Sequence, residues 1–147
     1  MNTGWYVVFI NEFAHRFVSQ RSLQRVSEHS EVVAANVEEH VMFSSAEGWN
    51  NGKQVWKVSH EGESDPHNLE EHGEHPQQYV PIKQRLLAEQ QREDKGEHQV
   101  DFVFDIPLEL AEAVVGFKHD KIVEERFEIL TSVPSRSGLL ARLFRET

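Results

Sequence analysis

The stretch 41–58, VMFSSAEGWNNGKQVWKV, decides how the rest of this chain is read. Asn51-Gly52 lies between two runs rich in aromatic and β-branched residues, and Asn-Gly supplies the positive φ angles that a two-residue hairpin turn requires. With that pair as the loop, Trp49 opposes Gln54, Glu47 opposes Trp56, Ser45 opposes Val58 and Phe43 opposes His60. Phe43, Trp49, Trp56 and Val58 then share a face, which makes both tryptophans core residues; an exposed aromatic platform beside the turn is the alternative. The first arm can be followed back to Val32, with a change of phase that predicts a bulge near Asn36.

Working upstream, Trp5-Tyr-Val-Val-Phe-Ile10 reads as a central strand buried on both faces. Between Phe13 and His29 the spacing of Phe13 and Phe17, and of Leu23 and Val26, predicts helix, with Ser19 or Ser22 as its N-cap. Downstream, His60 to Pro76 is polar and turn-rich, a surface loop with one short edge strand around Asn68–His72. A helix follows with Tyr79, Ile82, Leu86 and Leu87 as its core stripe and Pro76 or Pro81 in its first turn, where a missing N–H costs nothing. Glu89 to Glu97 reads as the helix end and a connecting loop.

Val100-Asp-Phe-Val-Phe-Asp-Ile106 alternates strictly and predicts a strand, with Asp101 on its exposed face. Pro107 to Val115 predicts a short helix, N-capped by Asp105 and closed by Gly116. Phe117–His119 and Arg126–Val133 read as further strands, and a C-terminal amphipathic helix spans about 138–145. This order of elements does not alternate regularly, so a doubly wound parallel sheet is disfavoured. The expectation is a single α+β domain over residues 1–147, a mostly antiparallel β-sheet of about 4–6 strands with helices packed on one face.

The formal charge of −10 is unevenly spread. Between Val26 and Ile82 the basic residues are Lys53 and Lys57, against eleven acids, Glu28, Glu31, Glu38, Glu39, Glu47, Glu61, Glu63, Asp65, Glu70, Glu71 and Glu74. The rest of the chain, with thirteen basic and fourteen acidic residues, is close to neutral. Such a segment repels nucleic acid and anionic membrane, which require Lys and Arg to neutralise phosphate. The chain has no cysteine, which removes disulfides, thiolate nucleophiles and cysteine-based metal sites, and suits a reducing, cytoplasmic setting. The apolar run near the N-terminus is too short to span a bilayer and has no basic region before it.

Six of nine histidines, His29, His40, His60, His67, His72 and His75, lie in the acidic third. The gaps between His60, His67, His72 and His75 fit neither the helical His-Glu-x-x-His pattern nor a finger-type spacing, so no metal site is expected. Their acidic neighbours favour the imidazolium, which makes the same four candidates for ligand contact or pH sensing. Asp101 and Asp105, as strand residues four apart, stand about 13 Å from one another, too far to work as a catalytic pair. No nucleophile elbow, Ser-x-x-Lys or glycine-rich phosphate loop is present, so neither an enzymatic signature nor a cofactor is read from the sequence.

The profile, small, acidic, cysteine-free and without catalytic signature, resembles that of immunity proteins and other inhibitors that neutralise a basic partner. The functional expectation is accordingly a protein-binding module that presents acidic residues of Glu38–Glu74, chiefly Glu61, Glu63, Asp65, Glu70, Glu71 and Glu74, to a basic partner surface. The alternative is a small enzyme or ligand-binding domain with a pocket built from dispersed groups such as His60 and Asp101. A homodimer in which the basic C-terminal stretch of one copy meets the acidic third of another is a further expectation.

Overall fold

A computed structural model describes residues 4–95, 100–121 and 127–131. In chain order its elements are α1 (Gln20–Val26), β1 (Val32–Glu38), β2 (Phe43–Asn50), β3 (Lys53–Glu61), β4 (Glu70–Gly73), α2 (Tyr79–Glu93) and α3 (Asp105–Val115). The four strands form one antiparallel sheet in the order β1-β2-β3-β4. The chain is thus an α+β protein, and α2 and α3 pack together over one face of that meander.

The Asn51-Gly52 turn forms as its chemistry requires, with φ of 49° and 71°, and Trp49 opposes Gln54. Beyond that pair the register departs from the sequence expectation. Gly48 opposes Trp56, so Val55 is an extra residue on β3, and Glu47 opposes Lys57, Ala46 Val58, Ser45 Ser59, Ser44 His60 and Phe43 Glu61. Because side chains alternate with a period of two, one inserted residue reverses the phase of everything that follows. The two tryptophans therefore lie on opposite faces, and both are core, 4% and 5% exposed. Trp56 and Val58 join Ala46, Tyr79, Leu86, Val103, Ile106 and Leu110 beneath α2 and α3, while Trp49 packs with Leu23 of α1 and Ala34 of β1 on the other side. Neither indole forms an exposed platform.

No bulge occurs at Asn36: β1 pairs with β2 without a shift from Val32 to Glu38. The phase change seen in the sequence instead marks the end of β1, where a single 3-10 turn over Glu39–Val41 and a left-handed Met42 (φ 49°) fold the chain into a second hairpin.

Of the predicted strands, Trp5–Ile10 and Val100–Ile106 are the two longest that do not form among the described residues before α3. Trp5–Ile10 pairs with no strand and lies beside β1 and α3, lining a cavity of about 500 Å³ with Val33, Val37, Leu108 and Val115. Tyr6 is 81% exposed, so the apolar run reports partial cover of a crevice rather than a sheet interior. Val100–Ile106 is also not a strand; its latter part enters α3, with Asp105 and Ile106 already helical. Its backbone groups are satisfied by side chains where a strand would use a neighbouring ladder. Gln90 Oε1 accepts the Phe102 N–H at 2.7 Å, Asp101 Oδ1 accepts the Phe104 N–H at 3.0 Å, and the Ser44 hydroxyl donates to the Phe104 carbonyl at 2.7 Å. In place of that alternation, Val103, Ile106 and Leu110 form a series at helical spacing, and all three are fully buried.

The remaining elements follow their local chemistry. Pro81 occupies the first turn of α2, whose buried residues are Tyr79, Leu86 and Gln90, with Ile82 and Leu87 partly covered. In α3, Pro107 lies in the first turn and Gly116 closes the helix at φ 76°. Phe104 is the N-cap there, and Asp105 is instead the first helical residue. The edge strand falls at Glu70–Gly73, two residues later than its expected start. Phe117–His119 is not strand, nor are the described residues 127–131; the rest of Arg126–Val133 and the C-terminal helix lie outside the described residues.

The indole of Trp56 lies directly over Gly48: a Cβ on Gly48 would stand 2.0 Å from Trp56 Nε1. Gly48→Ala should displace the ring from the core and lower the unfolding free energy in urea by about 3 kcal/mol, the range of an overpacked interior. A variant as stable as the parent would contradict this packing.

Candidate functional site: the acidic end of the sheet

Antiparallel pairing brings the β1–β2 turn and the β3–β4 loop to the same end of the sheet, since Glu38, Phe43 and Glu61 are in register across three strands. Glu38 and Glu39 from the first turn thereby join Glu61, Glu63 and Asp65 from the second, with Glu70 at the start of β4. Glu38 is half-buried and the other five are exposed. Lys53 is at the opposite end, beside the Asn51-Gly52 turn, and Lys57 lies in mid-strand. Among the described residues none of the six is ion-paired.

Two of the acids also shape the loops that carry them. Glu38 Oε1 accepts the His40 N–H at 3.2 Å, and Asp65 Oδ1 accepts the His67 N–H at 2.9 Å, local bonds of the kind that fix turns. The loops are tied to one another by the Gly62 N–H, which donates to the Met42 carbonyl at 2.9 Å.

Of the six acids expected to act together, Glu61, Glu63, Asp65 and Glu70 meet here. Glu71 and Glu74 do not. Glu71 points to the helix-covered face, where it pairs with Lys83 of α2. Partial burial raises its pKa, but the Lys83 ammonium outweighs this and holds the carboxyl below its ordinary range. Glu74 follows the far end of β4, its N–H donating to the Val55 carbonyl at 3.0 Å.

The four candidate histidines are dispersed. His67 is exposed, 3.5 Å from Asp94; His72 opposes Lys57 on the sheet; His75 stacks on Tyr79 with ring centroids 4.4 Å apart. His60 alone is fully buried. Its Nδ1 stands 2.6 Å from the Asn68 carbonyl and its Nε2 2.9 Å from Asp101 Oδ2. No group of three or more His, Asp or Glu side chains among the described residues is placed to hold a metal ion.

The His60–Asp101 pair is the contact that strand-based reading missed. Asp101 was expected on an exposed strand face, yet it is 14% exposed and supports both His60 and the Phe104 N–H. An Asp three residues before a helix N-cap, here Phe104, is a turn-forming signal, and it is the feature of the sequence that could have located this residue.

A second concave feature lies on the face opposite α2 and α3, a cleft of about 640 Å³ between that face and the Phe13–Gln20 segment, reached by Asn36, Glu47, Lys57 and His72. The Glu47 carboxylate is already engaged, accepting from Trp49 Nε1 at 2.8 Å and from Gln54 Nε2. Its evident work is to fix the residues beside the bulge.

No protein-family model, curated protein or solved structure matches the chain. No helix among the described residues is long and apolar enough to cross a membrane.

Removing one member of a buried ion pair strands the other charge, which costs roughly 3–5 kcal/mol. Asp101→Ala should therefore lower stability in urea denaturation by about 3 kcal/mol, far more than Glu89→Ala, whose Arg85 contact lies at the surface. Equal effects of the two substitutions would mean that the His60–Asp101 contact carries no special weight.

Proposed function

We propose that this protein is a protein-binding module, of the inhibitor or immunity kind, that uses the acidic end of its sheet to engage a basic surface on a partner. The observation that carries this reading is the gathering of six carboxylates, from two turns and the start of β4, at one sheet end, without an ion-pairing cation among the described residues. Surface acids distributed for solubility alone have no need of such convergence, and five of these six are exposed to an approaching partner.

Chemistry at the buried histidine has less support. His60 and Asp101 meet in a geometry familiar from general-base pairs, but the ring is sealed from solvent and both its nitrogens are engaged. A substrate would have no path to it. Partner binding needs only the exposed carboxylates, whose field steers a cationic surface and falls with salt.

Affinity capture from native lysate at low and high salt tests the proposal. A basic partner should be retained at low salt, with association slowed about tenfold or more by the quadruple substitution of Glu61, Glu63, Asp65 and Glu70 to Lys. Glu71→Gln with Glu74→Gln, which leaves the acidic end intact, should bind as the parent does. Undiminished capture by a folded quadruple variant would remove the basis for the reading.

A further inference from the structure

The two ring nitrogens of His60 face only acceptors. Nδ1 meets the carbonyl of Asn68 at 2.6 Å, and Nε2 meets the carboxylate of Asp101 at 2.9 Å. A neutral imidazole has one N–H and one lone pair, so in either tautomer one of these contacts would set lone pair against lone pair. Flipping the ring would bring Cδ2 and Cε1 to these positions and leave both acceptors without an N–H donor. The doubly protonated ring satisfies both.

The surroundings leave no room for another solution. His60 has no exposed surface, and Gly62 folds directly over the contact: a Cβ there would lie 2.6 Å from His60 Nε2 and 2.9 Å from Asp101 Oδ2. From β2 the residue opposite is Ser44, whose hydroxyl is spent on the Phe104 carbonyl, and Phe104 itself stands edge-on at 6.4 Å. The charged groups that bear on the ring are Asp101, from the segment before α3, and Asp65, from the β3–β4 loop; both are anions.

These contacts join three parts of the molecule. Asn68 closes the β3–β4 loop, Asp101 initiates the turn into α3, and Gly62 links that loop to the β1–β2 turn through Met42. The loop between them, residues 62–69, follows Glu61 at the end of β3 and carries Glu63 and Asp65. We propose that His60 is a proton latch: doubly protonated, it holds the acidic loop against the segment before α3, and loss of one proton releases the loop and the partner surface on it. The link to partner binding rests on the function proposed above; the latch itself does not.

The direction of the pH dependence follows from the surroundings. Burial disfavours the imidazolium, but the hydrogen bonds to Asp101 and Asn68 and the charges of Asp101 and Asp65 outweigh it, and the His60 pKa stands above its ordinary 6.5. A pKa raised by folding gives stabilisation that is complete below that ordinary value and is lost as pH rises through the folded value. For Asp101, burial raises the pKa but the bond to His60 prevails and lowers it, so the carboxylate side of the latch fails only in acid, as pH falls through its depressed value. Between those limits the latch is closed.

The test is nitrogen-resolved NMR of the full-length chain across pH, following the His60 ring and the backbone of residues 61–69. Two ring N–H groups should be present on His60 at pH 6, and their loss on raising the pH should coincide with loss of backbone order at Gly62 to Asn68 while β2 and the paired part of β3 stay rigid. Asp101→Asn removes the counter-charge and should move the transition down by about one to three pH units. His60→Gln should abolish the transition. A single-protonated His60 at pH 6, or a His60 titration that leaves the loop unchanged, overturns the latch even if a basic partner is found. Failure to capture any partner, with the loop transition present, would instead count against the binding function.

Discussion

Between Gly48 and Trp49 the hairpin slips by one residue, and the rest of the architecture depends on that slip. Had the strands continued in the register set by the turn, both tryptophans would face the same side and the opposite side would have no large anchor. The extra residue, Val55, sends Trp56 and Val58 toward α2 and α3 and leaves Trp49 for α1. A four-stranded sheet thus gains apolar anchors on both faces, a large core on one and a small cluster on the other. Gly48 is part of the same arrangement, since only a residue without a side chain lets the Trp56 indole lie across its partner strand.

The second organising feature is polar. The approach to α3 makes no ladder, so its backbone is held by Gln90, Asp101 and Ser44, from α2, the segment itself and β2. Such bonds contribute modestly when formed but are costly to leave unmade in a buried setting. They also set the position of Asp101 against His60, and so couple helix packing to the loop at the acidic end. The charge that gives the surface its character and the contact that orders it are neighbours in space, although 41 residues separate His60 from Asp101 in the chain.

Much of this could be read from the sequence, and the misreadings have a common cause. Turn chemistry was legible: Asn51-Gly52, Pro81, Pro107 and Gly116 all act where their backbone preferences place them. The α+β class and the uneven charge followed from patterns longer than one element. What failed was the inference from apolar runs to strands. Trp5–Ile10 and Val100–Ile106 have strand composition, but a strand exists only where another strand offers its edge, and no local pattern reports that. The bulge was invisible for a related reason, because it is recorded only in which residues oppose one another. For the acidic end of the sheet, the sequence offered the acids of Glu38–Glu74 as one group, and only the strand pairing shows that Glu38 and Glu39 lie at the same end as Glu61, Glu63, Asp65 and Glu70. It grouped Glu71 with its neighbours because alternation across β4, which turns Glu71 toward Lys83, depends on register as well.

The edge formed by β4 has an effect on the molecule's behaviour in a crowded solution. An open edge is a template on which a second chain can add its own strand. Here it is four residues long and reads Glu70-Glu71-His72-Gly73, ending in a left-handed glycine that turns the backbone out of line. The exposed carboxylate of Glu70 on so short a ladder opposes the approach of an identical edge, and the glycine leaves nothing straight to extend. At this margin the sheet offers a second chain only a short, polar ladder.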